Sequence, residues 1–197
     1  EWEGQRLLGA SPLVVEVTAA AVPDKPLPLP IGAEPDFLKP SVAIQSDDPE
    51  VRAKSREATG DAREATAAAR KLVSWAFTLI DKEATASYPT ALDVLKHMKG
   101  DCNEHAVVVA ALARAAGIPA KVAVGLVYLN GAFYYHAWNE LYLGHWVPVD
   151  ATFGEFPASA VHLKLAEGEL SQQSEILGIV GRVKIKVLEF SLAQQGE

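Results

Sequence analysis

Cys102, the single cysteine of the chain, lies where the sequence predicts that a helix begins. Polar residues at 99–101 give way to an apolar run over 106–113. A thiol in the first turn of a helix lies near unpaired N–H groups and the positive end of the backbone dipole. Both effects favour the thiolate, the form that attacks an acyl carbon. The sequence therefore predicts a nucleophile with a lowered pKa, paired with an imidazolium.

His136 and Asp150 follow Cys102 along the chain and complete a set of three chemical groups. A thiol, an imidazole and a carboxylate together suit nucleophilic catalysis on an acyl group. His136 would take the thiol proton and return it to a leaving amine, while Asp150 would orient the imidazole. Taken singly, the three residues are also typical of a small buried side chain, a strand histidine and a turn. A site therefore requires that all three meet in space.

Strand pairing decides whether His136 and Asp150 can meet. Two predicted strands carry them, joined by a three-residue turn centred on Gly144. In that register Tyr142 faces Trp146, and Asp150 becomes the diagonal neighbour of His136 on one face of the sheet. A two-residue turn would put Asp150 on the opposite face. We also expect the first turn of the Cys102 helix to pack over the face that carries His136.

Other groups are candidates for binding the reacting amide. The backbone N–H of Cys102 is a natural donor to an oxyanion. A second donor must come from the chain before the helix, and Trp75 and Tyr88 both stay open for that role. Trp138 and Trp146 are expected to line or roof the cleft, since aromatic walls suit an extended chain in a groove.

The order of the predicted elements indicates the fold class. Four helices come first, starting near residues 48, 61, 90 and 102, and strands follow over 121–128, 132–142, 146–150 and 183–190. Helices followed by strands are typical of an α+β fold with an antiparallel sheet.

Residues 1–35 differ in composition from the rest of the chain. A predicted strand at 13–18 is followed by a segment in which prolines recur from residue 23 to residue 40. Proline fixes φ and lacks an N–H, which favours an extended arm. We therefore expect 1–35 to be an arm or the tail of a preceding domain, dispensable for a catalytic domain at 36–197. The start at Glu1 leads us to expect a further N-terminal domain in the full protein.

Composition and charge exclude several classes of function. The formal net charge of −7 argues against a surface for nucleic acid or anionic lipid. A single cysteine excludes an internal disulfide and a cysteine-rich zinc site. No apolar run approaches the roughly 20 residues of a membrane span, and no signal-like segment is present.

A metal site is the main alternative reading of the same residues. Cys102 and His105 lie one helical turn apart and could share an ion with His136 and Asp150. This set lacks a second pair of closely spaced ligands, so we predict a site without metal or cofactor. The histidines at 97, 145 and 162 are expected to be exposed or structural.

Four separated blocks of the sequence follow one another in a recognisable order. They are residues 100–106 (GDCNEHA), 111–122 (ALARAAGIPAKV), 136–140 (HAWNE) and 146–152 (WVPVDAT). Together they resemble the core of the transglutaminase-like superfamily, and in particular its compact microbial branch. Ala151-Thr152 stands where that family commonly has Pro-Thr, a change that removes no catalytic group.

The resemblance implies a papain-like fold with N-terminal helices packed on an antiparallel sheet. It implies Cys102 as nucleophile at a helix N-terminus, His136 as base and Asp150 as its orienter. It also favours export to the periplasm or beyond. The expected activity is amide acyl transfer or hydrolysis on a protein or peptide through a thioester, with hydrolysis slightly favoured. The alternative is a non-catalytic peptide-binding module on the same fold.

Overall fold

Four α-helices precede the main sheet in the computed structural model, which describes residues 2–84, 89–168 and 182–191. The helices are α1 (Pro49–Thr59), α2 (Ala65–Leu79), α3 (Ala91–His97) and α4 (Cys102–Ala115). The strands are β1 (Gln5–Ala10), β2 (Leu13–Val17), β3 (Asp81–Lys82), β4 (Lys99–Gly100), β5 (Ala120–Leu129), β6 (Ala132–Tyr142), β7 (Trp146–Val149) and β8 (His162–Glu167). The α+β class predicted from the order of elements is confirmed.

The main sheet has the antiparallel strand order β7-β6-β5-β8, and α4 packs on one of its faces. Residues 104–113 of α4 are all buried. The apolar side chains that surround this helix on nearly every side explain why it lies inside the protein. The other three helices pack around it, so α4 connects the helical layer to the sheet.

Two tight turns set the register of the sheet. Asn130 and Gly131 join β5 to β6 with φ angles of 50° and 87°, as a two-residue hairpin of this composition requires. The next turn pairs Tyr142 with Trp146. The predicted three-residue turn and its register are therefore confirmed, and Asp150 follows directly after β7.

The start of α4 is held by a capping box. The Asp101 carboxylate accepts a hydrogen bond from the N–H of Asn103 at 2.9 Å, and Glu104 accepts one from the N–H of Asp101 at 2.9 Å. These bonds satisfy N–H groups that a helix start leaves unpaired. A Cβ at position 100 would overlap the Glu104 side chain, so Gly100 leaves room for the cap. The cap fixes the first turn in which Cys102 lies.

The last strand lies elsewhere than the sequence predicted. Residues 183–190 are irregular and exposed, so the strand predicted there is wrong. The strand that completes the sheet is β8, which pairs with β5. Its outer edge is capped by Gln5, whose side-chain amide bonds both the N–H and the C=O of Lys164 at 2.9 and 2.8 Å. Alternation of apolar and polar residues predicts a strand with one buried face. A strand also needs the unpaired edge of another strand with which to form hydrogen bonds.

Residues 2–35 lie against the rest of the chain. The predicted strand at 13–18 is confirmed as β2, which forms a hairpin with β1. Further along, the N–H of Leu29 donates to the C=O of Arg63 at 3.0 Å, and the N–H of Ile31 donates to Gly117 at 2.9 Å. Ile31 is 5% exposed and belongs to the core. The domain boundary at residue 35 thus stays a prediction. A chain divided there would lose side chains that pack against the core.

These contacts change the expected result of truncation. A chain that begins at Asp36 loses the buried Ile31, and burial of such a side chain contributes about 1.5–3 kcal/mol. We expect its Tm to fall by about 3–12 °C. A chain that begins at Ala19 keeps Ile31 and is the matched control, with a smaller expected fall. The measurement is differential scanning calorimetry of both chains. A chain from Asp36 that melts at the same temperature as the intact protein would contradict the prediction.

Candidate active site

The first turn of α4 lies over the face of β6 that is opposite to His136. The Asn139 side-chain amide donates to the C=O of Ala106 at 2.9 Å, and the Tyr135 hydroxyl donates to Asn103 Oδ1 at 3.3 Å. Since alternate strand residues face opposite sides, α4 covers the odd-numbered residues of β6. His136 belongs to the even-numbered set. The expectation that the helix packs over the His136 face is therefore wrong.

Cys102 instead reaches the edge of β6. The strand β7 pairs with β6 only from Asn139 to Tyr142. The edge of β6 at Ala137 that faces β7 is therefore unpaired by that strand. The backbone of Ala137 hydrogen-bonds the sulfur of Cys102. The thiol, which is partly exposed, is thus held beside the residue that follows His136.

Asp150 holds His136 by a short hydrogen bond. His136 Nε2 lies 2.6 Å from Asp150 Oδ2, and both side chains are buried. The second carboxylate oxygen, Oδ1, accepts N–H bonds from Thr152 at 2.7 Å and Phe153 at 3.3 Å. The Asp150 backbone also exchanges two hydrogen bonds with Glu155. With Nε2 donating to Asp150, Nδ1 is the ring nitrogen left to accept a proton.

The Asp150 carboxylate remains ionised despite its burial. Burial acts to raise its pKa, but hydrogen bonds and charge from His136 and His162 outweigh burial and lower the pKa below its ordinary value. An ionised carboxylate can fix the imidazole tautomer throughout the neutral range.

The Cys102 thiol differs from the sequence expectation. Burial raises its pKa to about 12, and the nearby carboxylates of Asp101 and Asp150 act in the same direction. Hydrogen bonds from the backbone of Ala137 and of Cys102 itself lower it by less. The predicted lowering by the helix start is therefore wrong for the free protein, which holds a neutral thiol. A base must remove the proton when the sulfur attacks.

Alkylation kinetics test this protonation state. We expect the rate of iodoacetamide reaction at Cys102 to rise with pH through pH 10 without a plateau, because the thiol has a pKa of about 12. The pH dependence is measured by mass spectrometry, with glutathione as the reference thiol. A plateau below about pH 8, under the ordinary cysteine pKa, would instead show a preformed ion pair.

The aromatic candidates are divided by the structure. Trp138 is 2% exposed, and its ring centroid lies 6.2 Å from that of His136 in a stacked arrangement. It therefore packs beside the His136 ring. Trp146 instead contacts Phe37 and Tyr142, at the other end of the β6–β7 pair, and is not brought to the site. Sequence reasoning missed Phe153, whose ring stacks on His136 at 4.8 Å.

The two candidate oxyanion donors have different outcomes. Trp75 lies in α2, and its buried indole Nε1 has no hydrogen-bond partner among the described residues. Tyr88 lies outside the described residues, so its role stays a prediction.

The histidines outside the predicted set are also informative. His105 Nδ1 bonds the C=O of Asp101, the N-cap of α4, at 2.7 Å. His162 is buried and lies 3.0 Å from Asp150 Oδ2, so the expectation that it is exposed or merely structural needs revision. Sequence reasoning missed it because β8 itself was missed.

One group of described residues has the composition of a metal site, and it differs from the predicted alternative. The ligand atoms of His136, Asp150 and His162 lie within 4.8 Å of one another, whereas Cys102 and His105 are not part of the group. Hydrogen bonds between Asp150 and the two imidazoles account for this closeness. We therefore describe the group as a hydrogen-bonded network.

Comparison with known proteins agrees with this geometry. The family model for the transglutaminase-like superfamily matches residues 52–151, just over half of the chain. The chain therefore belongs to the transglutaminase-like superfamily. No curated protein matches it.

Two solved structures are similar to this chain, and the first of them shares its fold. A protein from Cytophaga hutchinsonii, described as a candidate cysteine protease, is 27% identical with a TM-score of 0.61. The match covers 70% of this chain and 47% of that one, so this chain spans less than half of its length. The periplasmic domain of TgpA from Pseudomonas aeruginosa is 24% identical with a TM-score of 0.49, over 62% of this chain and 49% of its own. None of the described helices has the length and apolar content needed to cross a bilayer.

Proposed function

We propose that this protein is a cysteine-dependent enzyme that cleaves or transfers the acyl group of an amide in a protein or peptide. The observation that carries the proposal is the contact of His136 with Asp150 at 2.6 Å, next to the Ala137 backbone that hydrogen-bonds the Cys102 sulfur. These groups fill the roles of nucleophile, base and orienter. Family membership and the name of the Cytophaga protein support the same class of chemistry.

Acylation begins from the neutral thiol. His136 Nδ1 takes the thiol proton as the sulfur attacks the amide carbon, which converts the C=O into an oxyanion. The imidazolium, stabilised by Asp150, then gives this proton to the nitrogen of the leaving amine. The C–N bond breaks, and the acyl group remains on Cys102 as a thioester.

Deacylation repeats the sequence with a second nucleophile. His136 takes a proton from water or from a primary amine, and the new nucleophile attacks the thioester carbon. The C–S bond breaks, and the proton returns to the sulfur. Water gives hydrolysis and an amine gives crosslinking or transfer. We favour hydrolysis, because no described group marks an amine site and the Cytophaga relative is named for a protease.

The oxyanion needs hydrogen-bond donors. The backbone N–H of Cys102 lies at the start of α4, where the helix dipole favours negative charge. The indole N–H of Trp75 is buried and has no hydrogen-bond partner among the described residues, and a buried donor left unpaired costs free energy. A transition-state oxygen would satisfy this donor, so Trp75 stays a candidate for the second donor.

Exposed aromatic rings beside the site favour an extended peptide as substrate. Phe153 is 37% exposed and stacks on His136, and Phe77 is 41% exposed. The Phe77 ring packs close to Gly154, the residue after Phe153, since a Cβ at Gly154 would approach it at 3.0 Å. Exposed aromatic rings of this kind suit apolar side chains near the scissile amide. The net charge of −7 disfavours strongly acidic substrates.

The proposal is tested by trapping the intermediate. The protein is incubated with peptide libraries that contain glutamine and internal amide bonds, with and without a primary-amine probe. Intact mass spectrometry should find an acyl adduct on Cys102, and product analysis should distinguish water from amine as acceptor. An unreactive Cys102 with no turnover of any amide would favour the non-catalytic binding module. Export from the cytoplasm remains an expectation from the family resemblance.

A further inference from the structure

His162 faces two hydrogen-bond acceptors from a fully enclosed position. It begins β8 and is 5% exposed. Its Nδ1 lies 2.9 Å from the C=O of Ser159, and its Nε2 lies 3.0 Å from Asp150 Oδ2. A neutral imidazole donates from only one ring nitrogen, whereas an imidazolium donates from both. Two acceptors at hydrogen-bond distance therefore fit the charged form.

The charges around His162 support this assignment. Burial acts to lower its pKa, but the hydrogen bond and charge of Asp150 outweigh it and raise the pKa above its ordinary value. Ser159 and Glu155 act in the same direction as Asp150. His136 is the other titratable ring in contact, with ring centroids 5.7 Å apart.

Lys164, the cation on this face, is already paired with carboxylates. Lys164, next but one to His162 in β8, bonds Glu140 from β6 and Glu167 from its own strand, each at 2.6 Å. Glu3, from the segment before β1, lines the same small cavity as His162. Asp150 is therefore the carboxylate that His162 itself contacts.

Both imidazoles bond the same oxygen of Asp150. Oδ2 accepts from His136 at 2.6 Å and from His162 at 3.0 Å, while Oδ1 is held by backbone N–H groups. With both oxygens engaged, the carboxylate has one orientation that satisfies all of its donors. Rotation of Asp150 would break the bond to His162 together with the bond to His136.

We propose that His162 is a positioning residue, which holds the Asp150 carboxylate for His136 and offsets its negative charge beside Cys102. Only the kinetic consequence of this inference rests on the proposed function. Asp150 is one of the carboxylates that disfavour the Cys102 thiolate, so a compensating cation makes proton removal from the thiol easier. His162 acts through Asp150 and does not touch the reacting atoms.

Kinetics of matched variants test the inference. His162→Gln keeps a side-chain donor without the charge, and His162→Ala removes both. We expect kcat to fall about tenfold in His162→Gln and further in His162→Ala, with KM within about twofold, because a charge-assisted hydrogen bond is lost away from the substrate. His97→Gln is the control, since His97 is exposed and its ring bonds the C=O of Asp93 in its own helix. Unchanged kcat in both His162 variants would overturn the inference.

Stability against pH gives a second readout. A raised folded-state pKa means that proton binding to His162 stabilises the fold below about pH 6.5, the ordinary histidine value. This stabilisation is lost as pH rises through the folded pKa. Urea unfolding should therefore show the largest difference between wild type and His162→Gln at acidic pH. A difference that grows toward alkaline pH would contradict a charged His162.

Nitrogen NMR of the imidazoles separates this inference from the proposed function. In the Cys102→Ser variant at pH 7, we expect both nitrogens of His162 to be protonated and His136 to carry its proton on Nε2. His162→Ala should disturb the His136 signals. This measurement needs no turnover, so a chain without amide activity can still give the expected spectra. A neutral His162, or stoichiometric zinc that is lost in His162→Gln, would overturn the inference.

Discussion

Replacement of Cys102 by alanine is expected to abolish amide turnover and the acyl adduct while the fold remains intact. Alanine is well tolerated in a helix, and the capping box beside it uses Asp101 and Glu104 rather than the thiol. The reaction loses its only proposed nucleophile, and such losses lower kcat by about 10⁴-fold or more. The measurement is turnover of the best peptide together with intact mass after incubation.

Cys102→Ser is the matched variant, because it keeps the size of the side chain and a proton for His136 to accept. We expect no more than trace activity from it, since a hydroxyl is a weaker nucleophile at neutral pH than a thiol. Tm values near that of the wild type in both variants would attribute the loss to chemistry. Amide turnover at the wild-type rate in Cys102→Ala would remove the thiol mechanism altogether.

The meeting of His136 with Asp150 was predictable because it depends on local rules. Strand alternation places residues on faces, and the length of the turn around Gly144 fixes the register. Both rules use only neighbouring residues, so the sequence carries them explicitly. The start of α4 was predictable for the same reason, since polar residues at 99–101 give way there to an apolar run, and the structure adds a capping box formed by Asp101 and Glu104.

The position of the helix and the state of the thiol were not predictable in this way. Which face α4 covers depends on the packing of Asn139 against Ala106, a contact between residues far apart in sequence. The pKa of Cys102 depends on its burial and on Asp150, which the fold brings close. The position at a helix start predicts one contribution that lowers the pKa of the thiol. Burial contributes in the opposite direction and is larger here.

The strand β8 and its histidine were missed for a related reason. Lys164 interrupts the apolar pattern of this short strand. Because lysine is rarely buried, the sequence alone does not indicate that this position faces the interior. Its burial depends on the carboxylates of Glu140 and Glu167, which come from two strands. Without β8, the approach of His162 to Asp150 had no signal in the sequence.

Asp150→Asn is expected to reduce kcat by about 10³–10⁴-fold with little effect on KM, as loss of the correct imidazole tautomer does in related chemistry. The two donors that meet at Oδ2, from His136 and His162, would face an amide NH₂ group if the Asn oxygen takes the place of Oδ1. That oxygen is fixed by the N–H groups of Thr152 and Phe153. His136 Nε2 would then have to accept a hydrogen bond, which moves its proton to Nδ1 and leaves no base for the thiol.

Asp61→Asn is the matched control for this substitution, since Asp61 is an exposed carboxylate whose side chain pairs with Lys71 on the surface. Its kcat should equal that of the wild type. Steady-state kinetics report the two constants, and NMR of His136 reports where the ring proton lies. In the Asp150→Asn variant a folded chain with the proton moved to Nδ1 and kcat reduced would tie the loss to the tautomer. Wild-type kcat in a folded Asp150→Asn chain would show that Asp150 does not orient the base, because the neutral amide cannot satisfy both imidazoles as the carboxylate does.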